Sequence, residues 1–533
     1  MSETMRDQAP VCRDFLRWDI ILCLLAAGVL SVLAFRSASI LRFDYDEVAE
    51  FHAIWQVSQG HKPYVDFYYD HPPYFWLLYS PILRALPPVF ESLVSLRKLD
   101  LIFSFAALAL LSLLILRLDR DRSWKTCALA ALGLVVLQIP VLFTFAQFRA
   151  DHLALALTLA GLLALDAGGP APPPRWALAG SLFAAAALLT PKLALIYVIA
   201  VLVFGYGSWR AGLGGTPRCL AALLAAAAAA FLAGNGAAWA AGMNVMPYFQ
   251  LALRHHLLGL TYSGYRFGLA RGLLLRAAYN PLLALIFICG TVAAVQQLRE
   301  TGWEKNKLLI VFLGFAFLQP LWVKYLWDQY IYTVLLVWAL PLALFLRKVG
   351  RWRSRLAQAV IALLFWGGVY IELPELANYD SGHGGLDKQV AIADQLLQWS
   401  PPGSAVAMQP PAHVVFRENS TYFFNYTNIP AGPGTEEVML RLPQFQRLFS
   451  FAGYLEQLER RPPSLILVNP DFAGPQYLRA VEHYVHDLHR EDYVERRVLD
   501  TSVLVRKPRA SAGGSPNVKP IMSRGRGEDH RMQ

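Results

Sequence analysis

Charge is scarce in this sequence. Of 533 residues only 16% are Asp, Glu, Lys or Arg, against 56% hydrophobic, and the mean hydropathy is positive. That balance excludes an ordinary soluble globular domain and points to a membrane protein. Cysteine is also rare: Cys12, Cys23, Cys127, Cys219 and Cys289 share no paired spacing and all precede residue 300. This argues against a disulfide framework or a thiolate-held metal, and for small buried fillers. The glycines are scattered, without the spacing of a P-loop or a dinucleotide-binding turn, which disfavours a nucleotide-linked donor. A net charge of +10 is no nucleic-acid signature here. The Lys and Arg residues cluster between apolar runs, where the positive-inside rule accounts for them.

What the chain does have is apolar runs, near 18–35, 99–116, 126–143, 152–166, 176–190, 193–209, 218–241, 277–297, 307–323, 329–346 and 356–371. They predict about eleven spanning helices. The first follows Arg6, Arg13 and Arg17 with no small-residue cleavage site, and reads as an uncleaved anchor with a cytoplasmic N-terminus. Counting from there, the inside loops hold Arg117, Arg120, Arg122 and Lys125, then Arg175, Arg210 and Arg218, then Arg299, Lys305 and Lys307, and finally Arg347, Lys348, Arg351, Arg353 and Arg355. That bias supports the orientation.

The same count puts four polar features on the opposite, outer face: FDYDEVAEFHAIWQVSQGHKPYVDFYYDHPP (43–73), FTFAQFRADH (143–152), LLTPKLAL (188–195) and a long segment, 244–272. The expected organisation is a membrane domain over 1–371 with an outer loop at 37–98, a soluble outer domain over 372–508, and a disordered tail, 509–533, rich in Ser, Gly, Arg and Pro. Within the soluble part, LDKQVAIADQLLQWS and YLRAVEHYVHDLH have helical spacing. SAVAM and SLILV read as buried strands, and YVERRVLDTSVLVRK as a closing strand pair, together a compact α/β or α+β unit.

The first polar feature packs four carboxylates, Asp44, Asp46, Glu47 and Glu50, into seven residues. Part of it has a plain explanation. Asp44 suits a helix cap with Glu47 at the third position, and Val48, Phe51 and Trp55 mark one apolar face before Gly60 and Pro63 end the helix. On that view it is an amphipathic helix lying on the membrane surface. Asp46 is left without a structural task. Asp151 begins a spanning segment beside Arg149 and His152; an ionisable group there is a functional candidate, and a structural Arg149–Asp151 pair closing a short loop is the alternative. Lys192, after Thr190 and Pro191, either snorkels to the interface or meets an anion.

In order along the chain, Asp46-Glu47, Gly60, Pro63-Tyr64, Asp66, His71-Pro72-Pro73-Tyr74, FRADHLALAL, TPKLAL and KYLWDQYIYTVLLVWALPLAL resemble the GT-C superfamily of integral-membrane glycosyltransferases. The branch they resemble is the family 39-like group: protein O-mannosyltransferases, lipid A aminoarabinose transferases and lipopolysaccharide galacturonate transferases. The resemblance implies an α-helical polytopic fold with a small C-terminal soluble domain in a bacterial inner membrane, that domain being periplasmic. It also implies transfer of a sugar from a polyprenyl phosphate to an acceptor hydroxyl, with inversion, the acceptor being an envelope glycolipid, a glycan or a protein. Asp46, Glu47 and Asp151 would form the catalytic set, with Asp46 as general base and Asp151 orienting the acceptor, a basic residue or a metal. Lys192, Arg149, Arg266, Arg271, His71 and Lys62 would supply charge to the donor phosphate, and Tyr64, Asp66, Tyr74 and Tyr330 would contact sugar or acceptor. The chain departs from the aminoarabinose transferases at His71, where they typically carry lysine. No cofactor is required on this reading. A divalent metal is the open alternative, with His255 and His256 as its candidates, although adjacent histidines on a helix point in different directions. Two other functions stay in view: a transporter or lipid-linked sugar flippase, which predicts related halves and helices broken at mid-depth, and a scaffold anchoring the soluble domain.

Overall fold

The computed structural model describes residues 28, 31–69, 71–118, 122–136, 138–166, 171–210, 215–246, 248–249, 268–279, 281–323, 328–350, 385–408, 412–422, 424–425, 446–468, 474–499 and 501–508. Most of the run 18–35, the run 356–371 and the tail 509–533 lie outside them. Helix dominates the rest. A short apolar helix, α1 (Ser31–Ile40), leads into the polar loop, which folds as α2 (Tyr45–Ser58), a two-residue strand β1 (Tyr68–Tyr69) and α3 (Tyr74–Ala85). The bundle follows: α4 (Phe90–Arg117), α5 (Arg122–Val136), α6 (Ile139–Ala146), α7 (Ala150–Leu165), α8 (Pro173–Leu189), α9 (Ala194–Arg210), α10 (Thr216–Ala240), α11 (Gly268–Tyr279), α12 (Pro281–Thr301), α13 (Lys307–Trp322) and α14 (Asp328–Gly350).

Where the expected spans fall on described residues they are helical, though the run 277–297 is divided between α11, which ends at Tyr279, and α12, which begins at Pro281. The run 126–143 is not continuous, because α5 ends at Val136 and α6 starts afresh at Ile139. Pro140 lies in the first turn of α6; it has no N–H to donate and its ring would clash with the preceding turn of an unbroken helix. Among the described residues, four helical segments are long and apolar enough to cross a membrane: Phe90–Arg117, Pro191–Arg210, Thr216–Ala240 and Tyr330–Val349. They occupy opposite environments. The apolar stretch of α14 is 83% buried and that of α10 only 11%, so α14 is the core of the bundle and α10 a peripheral helix. Leu202, Leu224, Leu232 and Ile288 stand exposed on α9, α10 and α12, an apolar surface that hydrocarbon, and not water, would cover.

At the C-terminal end, α15 (Gly385–Trp399), β2 (Ala405–Met408), β3 (Glu418–Asn419), β4 (Phe424–Asn425), α16 (Phe451–Arg460), β5 (Pro463–Leu467), α17 (Pro475–His483), β6 (Tyr493–Val498) and β7 (Thr501–Arg506) follow in order. Five of the strands form one sheet, β3-β2-β5-β7-β6, parallel across β3-β2-β5 and antiparallel across β5-β7-β6. Each strand expected from sequence is present; α16, β3 and β4 are elements that the sequence reading does not predict. Through this layer the polar loop is fastened from above. β1 pairs in parallel with β4, Gln389 of α15 makes two hydrogen bonds to the backbone of Phe43, and His61 sits 3.4 Å from Glu418.

Candidate active site

α2 starts as its sequence dictates. Asp44 is extended, its Oδ1 accepts the Glu47 N–H (2.7 Å), and Glu47 Oε2 accepts the Asp44 N–H (3.2 Å), a reciprocal capping box. The surface placement does not hold. Val48, Phe51 and Ile54 are buried, and so are Glu47, Glu50, His52 and Gln56 on the other sides. Periodicity assigned the polar side to solvent, but each of those polar groups has a fixed protein partner, which makes its burial tolerable.

Glu47 is the clearest case. Its Oε1 accepts from Arg97 Nε (2.8 Å) and the Phe148 N–H (2.7 Å), and its Oε2 accepts from Arg97 Nη2 (2.6 Å). Both side chains are wholly buried. Arg97 spends its remaining donors on the carbonyls of Ala38, Leu41 and Arg42, so one ion pair fixes the start of the loop, α2 and the approach to α7. Three residues on along α4, Asp100 accepts from the Arg149 N–H (3.1 Å), from Tyr79 Oη (2.8 Å) and from His152 Nδ1 (2.9 Å). One turn further, Ser104 donates to the Phe145 carbonyl. Residues 97, 100 and 104 share a helix face, and this polar stripe holds the carboxylate-bearing α2 against the segment 145–152. Phe148 completes the joint, stacked on Phe51 at 4.5 Å between ring centroids and packed against Phe75 and Tyr79.

The clamp presents a cleft lined by Asp46, Glu50, His71, Arg149, Asp151 and Lys192, with Pro72, Phe148, Ala150, Leu189, Thr190 and Pro191 as its walls. Three stretches that sequence reading kept apart (43–73, 143–152 and 188–195) meet here. Arg149 is the hub: Nη2 lies 2.8 Å from Asp46 Oδ2, Nη1 3.4 Å from Asp44 Oδ2, and Nε 3.3 Å from Asp151 Oδ2. Asp151 Oδ2 also takes Lys192 Nζ at 3.0 Å, and the Lys192 ammonium sits 5.2 Å from the Tyr330 ring centroid. Burial pushes the Asp46 carboxyl up, but Arg149, His71 and Lys192 outweigh it and hold it below the usual carboxylate range. Asp44 goes the other way: burial, then the charge of Glu47, raise it to about 7 against the pull of Arg149. Of the two, Asp46 is the carboxylate kept ionised at neutral pH, and its side chain is 15% exposed.

The other expected residues divide. His71 lines the cleft. Tyr330 is buried beneath Lys192. Tyr64, in a left-handed turn, donates its hydroxyl to the His71 carbonyl and so positions that residue. Asp66 caps the same turn through the Lys62 N–H, while the Lys62 side chain lies against Gly242 beyond α10. Tyr74 donates to Asn235 of α10. Arg271, on α11, is exposed and is not among the residues lining the cleft. Arg266, His255 and His256 lie outside the described residues. Among those described, no three of His, Cys, Asp and Glu converge as a metal site; where Asp44, Asp46 and Asp151 come together, a guanidinium stands between them. Sequence reading assigned no role to Glu50, Arg97 or Asp100. A signal existed for the last two, charged residues at the mouth of an apolar helix, but the expected loop ended at residue 98 and split the pair.

No protein-family model and no curated protein matches this chain. Among solved structures it is similar to the crystal structure of ArnT from Cupriavidus metallidurans bound to undecaprenyl phosphate, with a TM-score of 0.56 and 13% identity over 92% of this chain and 99% of that one. The same protein in the apo state aligns over 74% of this chain and 84% of that one, at 14% identity and a TM-score of 0.48. At these identities the likeness is one of fold, and the first of the two bears out the mostly helical architecture with its small C-terminal sheet.

Proposed function

We propose that this protein is a membrane glycosyltransferase that moves a sugar from a polyprenyl phosphate to an acceptor hydroxyl. The observation that carries the reading is the cleft itself: an ionised, partly exposed carboxylate, Asp46, faces the cations Arg149 and Lys192 in a pocket set beside apolar helices. A sugar phosphate needs both kinds of group. The similar fold of ArnT, which binds undecaprenyl phosphate, supports a donor of that class.

In the proposed reaction the acceptor hydroxyl attacks the anomeric carbon from the side opposite the phosphate, which inverts the configuration. Asp46 accepts the hydroxyl proton, the ordinary task of a general base. The bond from anomeric carbon to phosphate oxygen breaks, and the anionic leaving group stays beside Lys192 and Arg149, where charge-assisted hydrogen bonds are strong. Asp151 keeps both cations in place. Glu47 acts through Arg97 and Phe148 as a positioning residue. The catalytic cleft belongs to the membrane domain, 1–371, on the outer face of a bacterial inner membrane, and the C-terminal domain, 372–508, covers the loop from the periplasmic side.

A transporter or flippase is the competing reading. Purified protein given a polyprenyl phosphate carrying a radiolabelled sugar, together with envelope glycolipid acceptors, is expected to yield labelled acceptor. Movement of the labelled lipid across vesicles without transfer would overturn the proposal.

A further inference from the structure

The charges around the cleft do not suit an anion as they stand. Among the described residues the lining holds three carboxylates, Asp46, Glu50 and Asp151, against two permanent cations, Arg149 and Lys192. Both cations are already engaged, Arg149 by Asp46 and Asp151 and Lys192 by Asp151. With neutral His71 the lining carries a surplus negative charge, and an entering phosphate adds another in a poorly solvated place, where like charges repel strongly.

His71 is built to cancel that surplus. Its Nδ1 lies 2.5 Å from Glu50 Oε1, and the other Glu50 oxygen accepts the indole N–H of Trp76. Glu50 is 5% exposed and the His71 side chain 20%. The carboxylate is thus anchored from behind by a buried tryptophan and fixes the imidazole tautomer with the proton on Nδ1, so Nε2 is the position at which the ring gains and loses a proton. Tyr64 Oη donates to the His71 carbonyl, and the Tyr69 ring packs on the imidazole at 4.7 Å between centroids. Among the described residues, the titratable and charged groups around His71 include Glu50 from α2 at 2.5 Å, Asp46 from the same helix and Asp151 from α7, whose charges couple to it, and Arg149 and Lys192 across the same cleft.

Resting on the polyprenyl-phosphate reading above, we propose that the donor phosphate binds together with a proton taken up by His71, so that the Glu50–His71 pair makes donor binding proton-linked. Protonation at Nε2 brings the described lining to neutrality and gives the phosphate a third cationic donor. During transfer that proton either stays on His71 or passes to the departing phosphate oxygen. The acceptor's proton goes to Asp46 in both cases, so the atoms balance.

The test measures affinity of purified full-length protein for the methyl ester of undecaprenyl phosphate, a diester whose single charge does not itself titrate near neutrality. In the wild type, binding is expected to weaken about tenfold or more between about pH 6 and about pH 8.5. His71→Lys should bind tightly with no pH dependence across that range, and His71→Gln weakly at every pH. Glu50→Gln removes the surplus negative charge without a proton and should also flatten the profile. A wild-type affinity that is finite but constant with pH, or an undiminished pH dependence in His71→Lys, overturns the proton linkage while leaving the donor reading intact. No binding at any pH, in wild type and His71→Lys alike, overturns both.

Discussion

Arg97 and Glu47 meet through two parallel hydrogen bonds, Nε to Oε1 at 2.8 Å and Nη2 to Oε2 at 2.6 Å, with neither side chain exposed. Removing one partner of such a pair strands the other charge in a low-dielectric place, at a cost of about 3–5 kcal/mol. Arg97→Ala is therefore expected to lower the thermal unfolding temperature in detergent sharply and to abolish transfer, although residue 97 does not line the cleft. Glu47→Gln, which keeps the shape, should do less damage. An Arg97→Ala protein with unaltered melting would remove the pair from this supporting role.

Asp46 and Asp151 touch the same guanidinium, yet their variants should differ. Asp46→Asn takes away the proposed base and is expected to lower kcat by about 10²–10⁴-fold, with the donor KM little changed and the protein still folded. Asp151→Asn releases Lys192 and one side of Arg149, so its main effect should be a raised donor KM. Steady-state kinetics on the two variants decides the point, and substantial turnover in Asp46→Asn would sink the assignment.

Two buried histidines tie α2 to the C-terminal layer. His52 Nδ1 donates to the Val415 carbonyl (2.8 Å), and its Nε2 accepts from Gln56 and Asn419. His413 Nδ1 accepts the Val415 N–H, and its Nε2 donates to Asn419 Oδ1. The rings lie 4.0 Å apart between centroids, and each is wired as a neutral imidazole. Burial pushes His413 from its ordinary 6.5 down to about 4; burial, then the charge of His413, lower His52 well below its ordinary value. The unfolded chain takes up protons first, so this stability is intact above pH 6.5 and declines as pH falls toward about 4, by about 3 kcal/mol for His413 alone. Unfolding temperatures measured across that window should fall with pH, and less steeply in His52→Gln and His413→Gln. A flat profile in the wild type would contradict this.

At Gly180, α8 packs directly against the backbone of α10. A Cβ placed there would stand 2.2 Å from the Leu223 carbonyl oxygen, a backbone atom that cannot swing aside. Gly180→Ala should force the helices apart, costing about 1–3 kcal/mol. The same change at Gly236, which has open space around it, is a matched control on α10 and should be neutral or slightly stabilising. Equal melting temperatures for the two variants would refute the close-packing argument.

Much of the bundle was legible because hydrocarbon imposes one rule on every segment that crosses it. Backbone hydrogen bonds must close within the segment, and the side chains must be apolar, so runs such as 152–166 and 218–241 announce α7 and α10. The break at Gln138–Pro140 was legible in principle too, since proline cannot continue a helix. The cap of α2 could be read because Asp44 and Glu47 are three residues apart and satisfy one another locally. The parallel pairing of β1 with β4 could not, because two residues of strand carry no pattern that names a partner 356 positions away.

Sequence by itself determined the membrane-spanning class, the local caps and breaks, and the chemical inventory of the three polar stretches. Tertiary structure alone decided which of those groups became supports and which face the cleft. Glu47 and Asp46 are adjacent in the chain, but at about 100° per residue around a helix they point apart, one into Arg97 and the other toward Arg149. Likewise, only the fold brings His71 onto Glu50, one turn along α2 from Asp46. Periodicity describes how a segment meets its surroundings on average; the partner that makes a buried charge tolerable is a property of the folded whole.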